Sequence, residues 1–231
     1  MRAVGAALLA LIATSAVAET ITAARYIHPT GRYAHGILGD ALEWGGVQIS
    51  LADGSARRFN LPCDHVFEDI APRLVDVTGN GTPEVLVIET DMNRGAALAI
   101  YGPKGKIAET PHIGQSNRWL APIGAADLDG DGAVEIAYVD RPHLARVLRV
   151  WRFADGELSE VAQMPGLTNH RIGESFISGG LRDCGAGPEM VLADADWRRV
   201  VGVTLKGGQL VRRDIGPFAG VDSFAAALAC E

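Results

Sequence analysis

Apolar and polar residues alternate along several short segments of this chain, most clearly over Arg146–Phe153. Such alternation predicts a half-buried β-strand. Asp155-Gly156 then predicts a hairpin turn, and Leu158–Gln163 predicts the strand that returns from it. No stretch of ten or more residues after the first eighteen has a helical period. The pattern therefore predicts an all-β protein of short strands.

The same order of elements recurs along the chain. Two acidic segments, 76–84 and 127–135, match closely, and an apolar run follows each of them. A weaker copy spans 181–189 and a faint one spans 37–43. The glutamates that end these segments recur about every 50 residues, a period typical of four-stranded propeller blades.

Further strands are predicted around these segments, and their order suggests a ring. We expect Phe224–Cys230 to be the first strand of another unit, with Ile21–Tyr26 completing its blade and closing the ring, because closure removes exposed sheet edges. The predicted fold is an all-β propeller of about four to five four-stranded antiparallel blades, closed by the chain termini. The other predicted strands are Ala96–Tyr101, Lys106–Thr110, Pro122–Ala126, Glu135–Val139, Val200–Leu205 and Gln209–Asp214.

The N-terminal segment has the features of a secretory signal peptide. Arg2 precedes the apolar run 4–12, and Ala16-Val17-Ala18 is a small-residue cleavage site. The alternative, a retained anchor, is disfavoured because a bilayer-spanning helix needs about 20 apolar residues. We therefore expect a signal peptide at 1–18, a single propeller domain at 19–231, and a periplasmic or secreted protein.

Charge and composition exclude some partners. The formal net charge is −7, and cleavage after residue 18 would remove Arg2 as the only charged residue. An acidic protein disfavours nucleic acid and anionic lipid as partners. No later segment is long and apolar enough to span a bilayer, so no membrane insertion is expected.

The clearest acidic segment resembles a known repeat. The pattern Asp127-x-Asp129-x-Asp131-Gly-x-x-Glu135, flanked by predicted strands, is similar to the calcium loop of FG-GAP and VCBS repeats, which also build the integrin α-subunit propeller. In that family the loop joins the first and second strands of a blade, as it does here between Pro122–Ala126 and the following strand. The family includes adhesins, enzymes and exported proteins, so the resemblance implies a fold and a calcium site but no single activity.

Calcium takes six to eight oxygen ligands, preferably carboxylates and carbonyls. An EF-hand is disfavoured, because its twelfth loop position would be Tyr138 and no flanking helices are predicted. The alternative is an acidic turn without metal, because Asp and Gly are common turn residues. The predicted calcium ligands are Asp127, Asp129, Asp131, the Ala133 carbonyl and Glu135.

The two other copies are weaker candidates. In the copy at 181–189, Leu181 and Gly185 stand where acids are needed, so no metal is predicted there. The copy at 76–84 keeps the oxygen pattern with fewer charges, which predicts a weak calcium site or a metal-free turn. Its predicted ligands are Asp76, Thr78, Asn80, the Thr82 carbonyl and Glu84.

A second repeated feature lies in the links that precede the inner strands, at 63–69, 116–119 and 168–174. In a propeller these links surround one mouth of the central channel, opposite the acidic turns, where polar side chains can bind a ligand. The alternative is a structural role in joining adjacent blades. The predicted ligand face consists of His65, Asn117, Arg118, Asn169, His170, Arg171 and Glu174.

The remaining chemistry favours binding over catalysis. No H-x-x-x-H spacing occurs, so no zinc site is expected, and no nucleophile elbow, phosphate loop or dinucleotide motif is present. We expect a monomeric, calcium-stabilised binding or scaffold module for a protein or small ligand. The alternative is a periplasmic hydrolase or lyase at the channel mouth. The residues of such an enzyme would be His65, Arg118, His170, Arg171 and Glu174.

Three cysteines allow one disulfide in an exported protein. Cys184 lies in the turn at 181–189, called the third turn below, and Cys230 ends the last predicted strand, so both are expected at the same mouth. Cys63 precedes an inner strand and is expected at the opposite mouth. We predict a Cys184–Cys230 bond with Cys63 free; the alternative is three reduced cysteines.

Overall fold

The computed structural model describes residues 19–39 and 42–231, which form seventeen strands and one short helix. The predicted signal peptide at 1–18 lies outside the described residues. Within them, no helix is long and apolar enough to cross a membrane. The strands are β1 Ile21–Thr30, β2 Glu43–Leu51, β3 Ala56–Asn60, β4 His65–Phe67, β5 Arg73–Val75, β6 Glu84–Asp91, β7 Gly95–Gly102, β8 Gly105–Glu109, β9 Leu120–Ala126, β10 Glu135–Asp140, β11 Val147–Ala154, β12 Glu157–Pro165, β13 Leu167–Thr168, β14 Gly180–Asp183, β15 Pro188–Asp194, β16 Arg199–Lys206 and β17 Gln209–Pro217, and the helix is α1 Asp222–Leu228.

The strands form antiparallel sheets whose order follows the chain. Strands β9 to β12 form a four-stranded meander, and β14 to β17 form a second, with β13 also pairing with β15. The units β1–β3 and β5–β8 share one sheet, because β4 pairs with both β2 and β6. The predicted all-β antiparallel architecture is confirmed, although the first two units are joined rather than separate.

The burial of each strand matches the pattern of apolar and polar residues from which it was predicted. Every residue of β6, β7 and β10 is buried, as expected for central strands, whereas β17 is largely exposed. Asp155 and Gly156 both adopt positive φ angles, 53° and 83°, which is the conformation of a type I′ hairpin turn. The strands predicted from residue 96 to residue 214 all coincide closely with observed strands.

The prediction for the chain termini is wrong. Phe224–Cys230 is not a strand, because α1 covers most of it, and β1 pairs along its length with β2. The sequence Phe-Ala-Ala-Ala-Leu is rich in alanine, the residue with the highest helix propensity, and it contains no β-branched residue. Phe224 and Ala227, one helical turn apart, pack with Val191 and Val200 of the fourth unit. The termini therefore do not share a blade.

The segment that follows β1 packs against later units of the chain. Ile37 and Leu38 are buried in the same core as Ile88 and Trp119. The Gly173 N–H donates to the Ile37 carbonyl at 3.3 Å, which connects the first unit to the link before the fourth. The segment after β1 therefore shares a core with the second and third units and is hydrogen-bonded to the link before the fourth.

Candidate functional site

The turn between β9 and β10 is wrapped around Asp127. Its Oδ1 accepts the backbone N–H groups of Gly130 and Asp131 at 2.7 and 3.1 Å, and its Oδ2 accepts that of Gly132 at 2.9 Å. Gly130 and Gly132 have φ angles of 81° and 89°, which L-residues rarely adopt. The glycines thus allow the chain to fold back on the first aspartate.

Three carboxylates converge inside this turn. Asp127, Asp129 and Glu135 each present an oxygen within 4.8 Å of the other two. Oδ1 of Asp129 is buried and has no hydrogen-bond partner within the described part of the chain. Burial raises the pKa of Glu135, although bonds from the Leu128 N–H and Arg152 oppose that shift. A hard cation fits this set of oxygens, because it would satisfy the orphaned atom and favour the ionised glutamate.

Arg152 interacts with the same carboxylates. It lies opposite Glu135 in the register of β10 and β11 and contacts that carboxylate. Its Nη2 is 3.1 Å from Oδ2 of Asp129, and its Nη1 is 2.8 Å from Oδ2 of Asp131. A hydrogen bond from the Ala133 N–H, with Arg152 nearby, lowers the pKa of Asp131. The arginine therefore supplies positive charge where the sequence predicted a metal. The Ala133 carbonyl remains a predicted ligand.

The turn between β5 and β6 has the same wrapping. Asp76 accepts the N–H groups of Asn80 and Gly81 at 3.1 and 2.7 Å. Its other predicted ligands bond within the turn. Thr78 Oγ1 donates to Glu84 Oε1 at 3.4 Å. The Asn80 side-chain oxygen accepts the N–H of Thr82 at 2.8 Å. No arginine contacts this turn among the described residues, so internal hydrogen bonds replace the cation.

Glu84 occupies the place of Glu135 in this second turn. Its Oε2 accepts the Val77 N–H at 3.0 Å, as Glu135 accepts that of Leu128 at 2.9 Å. Burial raises the pKa of Glu84, and the neighbouring Asp76 adds to that shift. Both turns therefore end in a buried glutamate that fixes the backbone of the turn.

The third turn, between β14 and β15, is held differently. Burial alone would raise the pKa of Glu189, but bonds from Arg213 and Arg182 outweigh it and lower the pKa. Arg182 also donates to the Ala227 carbonyl of α1. Cys184 in this turn is bonded to Cys230, with Cα atoms 5.7 Å apart, and Cys63 is exposed and free. The predicted cysteine pairing is present in the structure.

At the other end of β9, the links form a buried hydrogen-bond network around Trp119 and His170. Their rings meet edge to face at 5.0 Å. His170 Nε2 lies 2.8 Å from the Glu174 carbonyl, and since a carbonyl only accepts, this nitrogen donates. His170 Nδ1 then accepts from His143 Nε2 at 2.9 Å. Burial lowers the pKa of both histidines, that of His143 to about 4, so the pair is neutral near pH 7.

His35 and Glu68 belong to the same hydrogen-bond network. The His35 ring is paired with the buried Glu68 carboxylate, which also accepts the Thr90 hydroxyl at 2.8 Å. Trp119 Nε1 donates to the Glu68 carbonyl at 2.7 Å. Burial raises the pKa of Glu68. A cavity of about 30 Å³ beside these residues is lined by His35, Trp119 and His143 among others. Sequence reasoning missed His35, Glu68 and His143, because nothing in their spacing links them.

The residues of the predicted ligand face lie in more than one environment. Asn169 is buried and directs its amide towards the Ala121 and Pro122 carbonyls of β9, at 3.2 and 3.3 Å. The Arg171 guanidinium lies 4.2 Å from the centre of the Trp197 ring. His65 contacts Asp64 instead. These residues have different neighbours, and Asn169 joins two sheets as the structural alternative expects.

Asn117 and Arg118 lie nearest the small cavity. Both line it, and the backbone N–H of Asn117 donates to the Tyr33 hydroxyl at 2.8 Å. Glu174 folds back on its own link, where its Oε2 accepts the Arg171 N–H at 3.3 Å. The described geometry thus places Asn117, Arg118 and His170 near each other, and His65 and Arg171 in separate surroundings.

Comparison with known proteins agrees with the architecture. Residues 76–138 match the family model of the FG-GAP-like repeat, and this segment contains both the 76–84 and the 127–135 turns. The resemblance predicted from the acidic turns is therefore confirmed for that segment: the chain contains FG-GAP-like repeats there. The match covers that segment only, within a chain that the structure shows to be all-β.

Similarity to individual proteins is distant. No curated protein matches the chain significantly. Among solved structures, the chain is similar to rhamnogalacturonan lyase YesW at 14% sequence identity, with a TM-score of 0.41. The alignment covers 78% of this chain and 43% of the lyase, so the chain spans less than half the length of that protein.

Proposed function

We propose that the protein is an exported, calcium-stabilised β-propeller that acts as a monomeric binding or scaffold module. Its four strand units would be the blades of the ring. The Cys184–Cys230 bond supports export to the periplasm or outside the cell, because structural disulfides persist in oxidising compartments. The partner would be a protein or a small ligand, and the shape of the mouth favours a protein.

The calcium part of the proposal rests on the turn 127–135. Asp129 Oδ1 is a buried oxygen without a partner in the described chain, at the centre of three converging carboxylates. An ion held there by Asp127, Asp129 and Glu135 would join the ends of β9 and β10. Its role would be structural, because the turn lies at the opposite end of β9 from the link residues, roughly 20 Å away at about 3.3 Å per residue.

The binding part of the proposal is carried by the shape of the mouth where the links lie. Ile37 and Leu38 are buried in the same core as Trp119, and the cavity beside that ring measures only about 30 Å³. Large apolar side chains are nevertheless exposed in this part of the chain, where Leu144 lines the small cavity and Ile70 and Phe176 line a second cavity of about 260 Å³. Exposed apolar groups on a filled, polar-backed surface favour contact with another macromolecule. They are Ile70 at 46%, Leu144 at 63%, Ile172 at 72% and Phe176 at 41% exposure.

Crosslinking in the native compartment, followed by a direct binding measurement, tests this role. The variant Leu144→Ser with Ile172→Ser should lose the partner that the wild type captures and should bind it at least about tenfold more weakly. The matched control is Ile107→Ser with Val211→Ser, which removes exposed apolar residues of the outer strands β8 and β17. Equal loss in both variants would contradict a surface at the mouth.

The alternative, a hydrolase or lyase at this mouth, has less support. Both ring nitrogens of His170 are engaged, one by His143 and one by the Glu174 carbonyl. The Arg171 guanidinium is stacked on the Trp197 ring. A general base needs a free lone pair within reach of the substrate, and the described arrangement offers none at His170.

A further inference from the structure

Two histidines and an aspartate meet beside the second unit, away from the calcium turn. His65 opens β4 and pairs in register with Asp91, the last residue of β6, while His112 follows β8. One ligand atom from each lies within 4.8 Å of the other two. We propose that His65, Asp91 and His112 bind a divalent transition-metal ion of the zinc type.

The hydrogen bonds of both rings point their free lone pairs at this site. His112 Nδ1 lies 2.7 Å from the Gly95 carbonyl, which only accepts, so Nδ1 carries the proton. His65 Nδ1 lies 2.9 Å from the Asp64 carboxylate and donates to it in the same way. In each neutral ring Nε2 is then an acceptor, ready to coordinate a metal. A second-shell carboxylate or carbonyl on Nδ1 is the usual support of a zinc-bound histidine.

Neither Nε2 has a protein hydrogen bond within residues 19–39 and 42–231. His65 Nε2 is 3.9 Å from Asp91 Oδ2, and His112 Nε2 is 4.0 Å from Glu109 Oε1. Ligand atoms around a tetrahedral zinc are roughly 3.3–3.5 Å apart for bonds of about 2.0–2.1 Å. His65 and Asp91 are therefore about half an ångström from that spacing, and His112 presents its ligand atom within 4.8 Å of both.

Asp91 is held in place by its own turn. Its Oδ1 accepts the N–H groups of Asn93 and Arg94 at 2.8 and 3.2 Å, which fixes the carboxylate plane. Its Oδ2 accepts Arg94 Nε at 2.6 Å. The Arg94 side chain is 58% exposed and is free to move into solvent. It is the group that competes with the metal, so its removal should strengthen binding.

The donor set selects the type of ion. Two imidazole nitrogens and one carboxylate suit zinc and related transition metals, whereas calcium prefers oxygen alone. Three protein ligands leave a coordination position open, as in catalytic rather than structural zinc sites. The sequence predicted no zinc site because it contains no H-x-x-x-H spacing. His65 and His112 instead come from separate strand connections that the sheet brings together.

Zinc titration of the exported, chelator-stripped protein with saturating calcium tests the proposal. The wild type should bind one zinc at this site, and Co²⁺ in its place should give the visible absorption of a site with nitrogen ligands. His65→Asn and His112→Asn should each weaken zinc binding at least about 100-fold. Asparagine removes the Nε2 ligand while its amide retains the donor near Nδ1. Arg94→Ala should bind zinc more tightly.

Two controls separate this site from the rest of the molecule. His28→Asn alters an exposed histidine whose positive φ angle asparagine tolerates, and it should leave zinc binding unchanged. Asp129→Ala with Asp131→Ala should lose calcium and keep zinc, so the two proposals fail separately. Wild-type affinity in His112→Asn would overturn the inference. If that variant does not fold, X-ray absorption spectroscopy of zinc bound to the unmodified protein gives a second test. Spectra that lack the scattering signature of imidazole ligands would overturn the inference equally.

Discussion

The turns 76–84 and 127–135 have nearly the same backbone and opposite ways of balancing charge. In each, the first aspartate accepts the turn's N–H groups and the last glutamate accepts a buried N–H near the start. In the first turn, hydroxyl and amide groups satisfy the remaining oxygens. In the second, three converging carboxylates face Arg152, and Asp129 retains an orphaned oxygen.

The difference shows which parts of the repeat determine its shape. The first aspartate, the glycines and the last glutamate position the strands, whether or not a cation is present. The third and fifth positions set the charge, with Thr78 and Asn80 in one turn and Asp129 and Asp131 in the other. The third turn keeps the glutamate, balances it with two arginines, and adds a disulfide.

The largest effect is expected from removing the covalent bond of the third turn. Cys184→Ser with Cys230→Ser should lower the free energy of unfolding by up to about 4 kcal/mol, because the bond closes a loop of 46 residues. The melting temperature should fall by roughly 10 °C. Cys63→Ser is the control and should change little, because Cys63 is exposed and unpaired. Equal melting of all three proteins would show that α1 is held by packing alone.

Calcium should give the next largest effect. At about 100 times its Kd, an ion that binds only the folded chain adds about 2.7 kcal/mol, which corresponds to roughly 5–10 °C in a domain of this size. Asp129→Ala with Asp131→Ala should abolish that shift in thermal melts. The paired substitution Thr78→Ala with Asn80→Ala should leave it in place. Loss of the shift in the Thr78→Ala with Asn80→Ala variant alone would show that the ion binds in the turn 76–84 instead.

Arg152 should affect the metal-free and calcium-bound states in opposite directions. Arg152→Gln removes the cation that balances Asp129 and Glu135, so the apo protein should melt a few degrees lower. Calcium no longer has to displace the guanidinium, so its Kd should fall, by about tenfold for 1.4 kcal/mol. Calorimetric titration measures both trends. A weaker calcium site in this variant would mean that Arg152 supports the ion rather than competing with it.

The smallest effect is expected from converting the first turn into the second. Thr78→Asp with Asn80→Asp should create a second calcium-dependent rise in melting temperature, of a few degrees at most. Gly102 follows Tyr101, the partner of Val85, and so stands where Arg152 stands opposite Glu135. No guanidinium therefore competes there. Unchanged calcium stoichiometry in this variant would show that carboxylate count alone does not define the site.

The sequence anticipated what depends on local pattern. Alternation and Asp-Gly turns placed the strands of the second to fourth units, and the spacing of Asp127 to Glu135 identified the acidic turn. The cysteine pair was also predicted, although Cys230 follows a helix and not a strand. The pairing was predicted correctly because the C-terminus lies beside the third turn, although it is a helix and not the predicted strand.

The sequence could not reveal contacts between distant segments. Arg152 opposes Glu135 only through strand register, and nothing in the spacing marks it as a competitor for calcium. His35 and Glu68 meet because the segment after β1 packs beside the residues that follow β4. The alanine-rich C-terminus was assigned as a strand by analogy with the other units, against its helical propensity.

A crystal structure of the exported protein grown with calcium tests the central claim most directly. The account predicts an ion bound by Asp127, Asp129 and Glu135, with oxygens at about 2.3–2.6 Å and the Arg152 guanidinium displaced towards solvent. It also predicts no ion of comparable occupancy in the turn 76–84. Arg152 still bridging Asp129 and Glu135 at saturating calcium, with no ion between them, would contradict it.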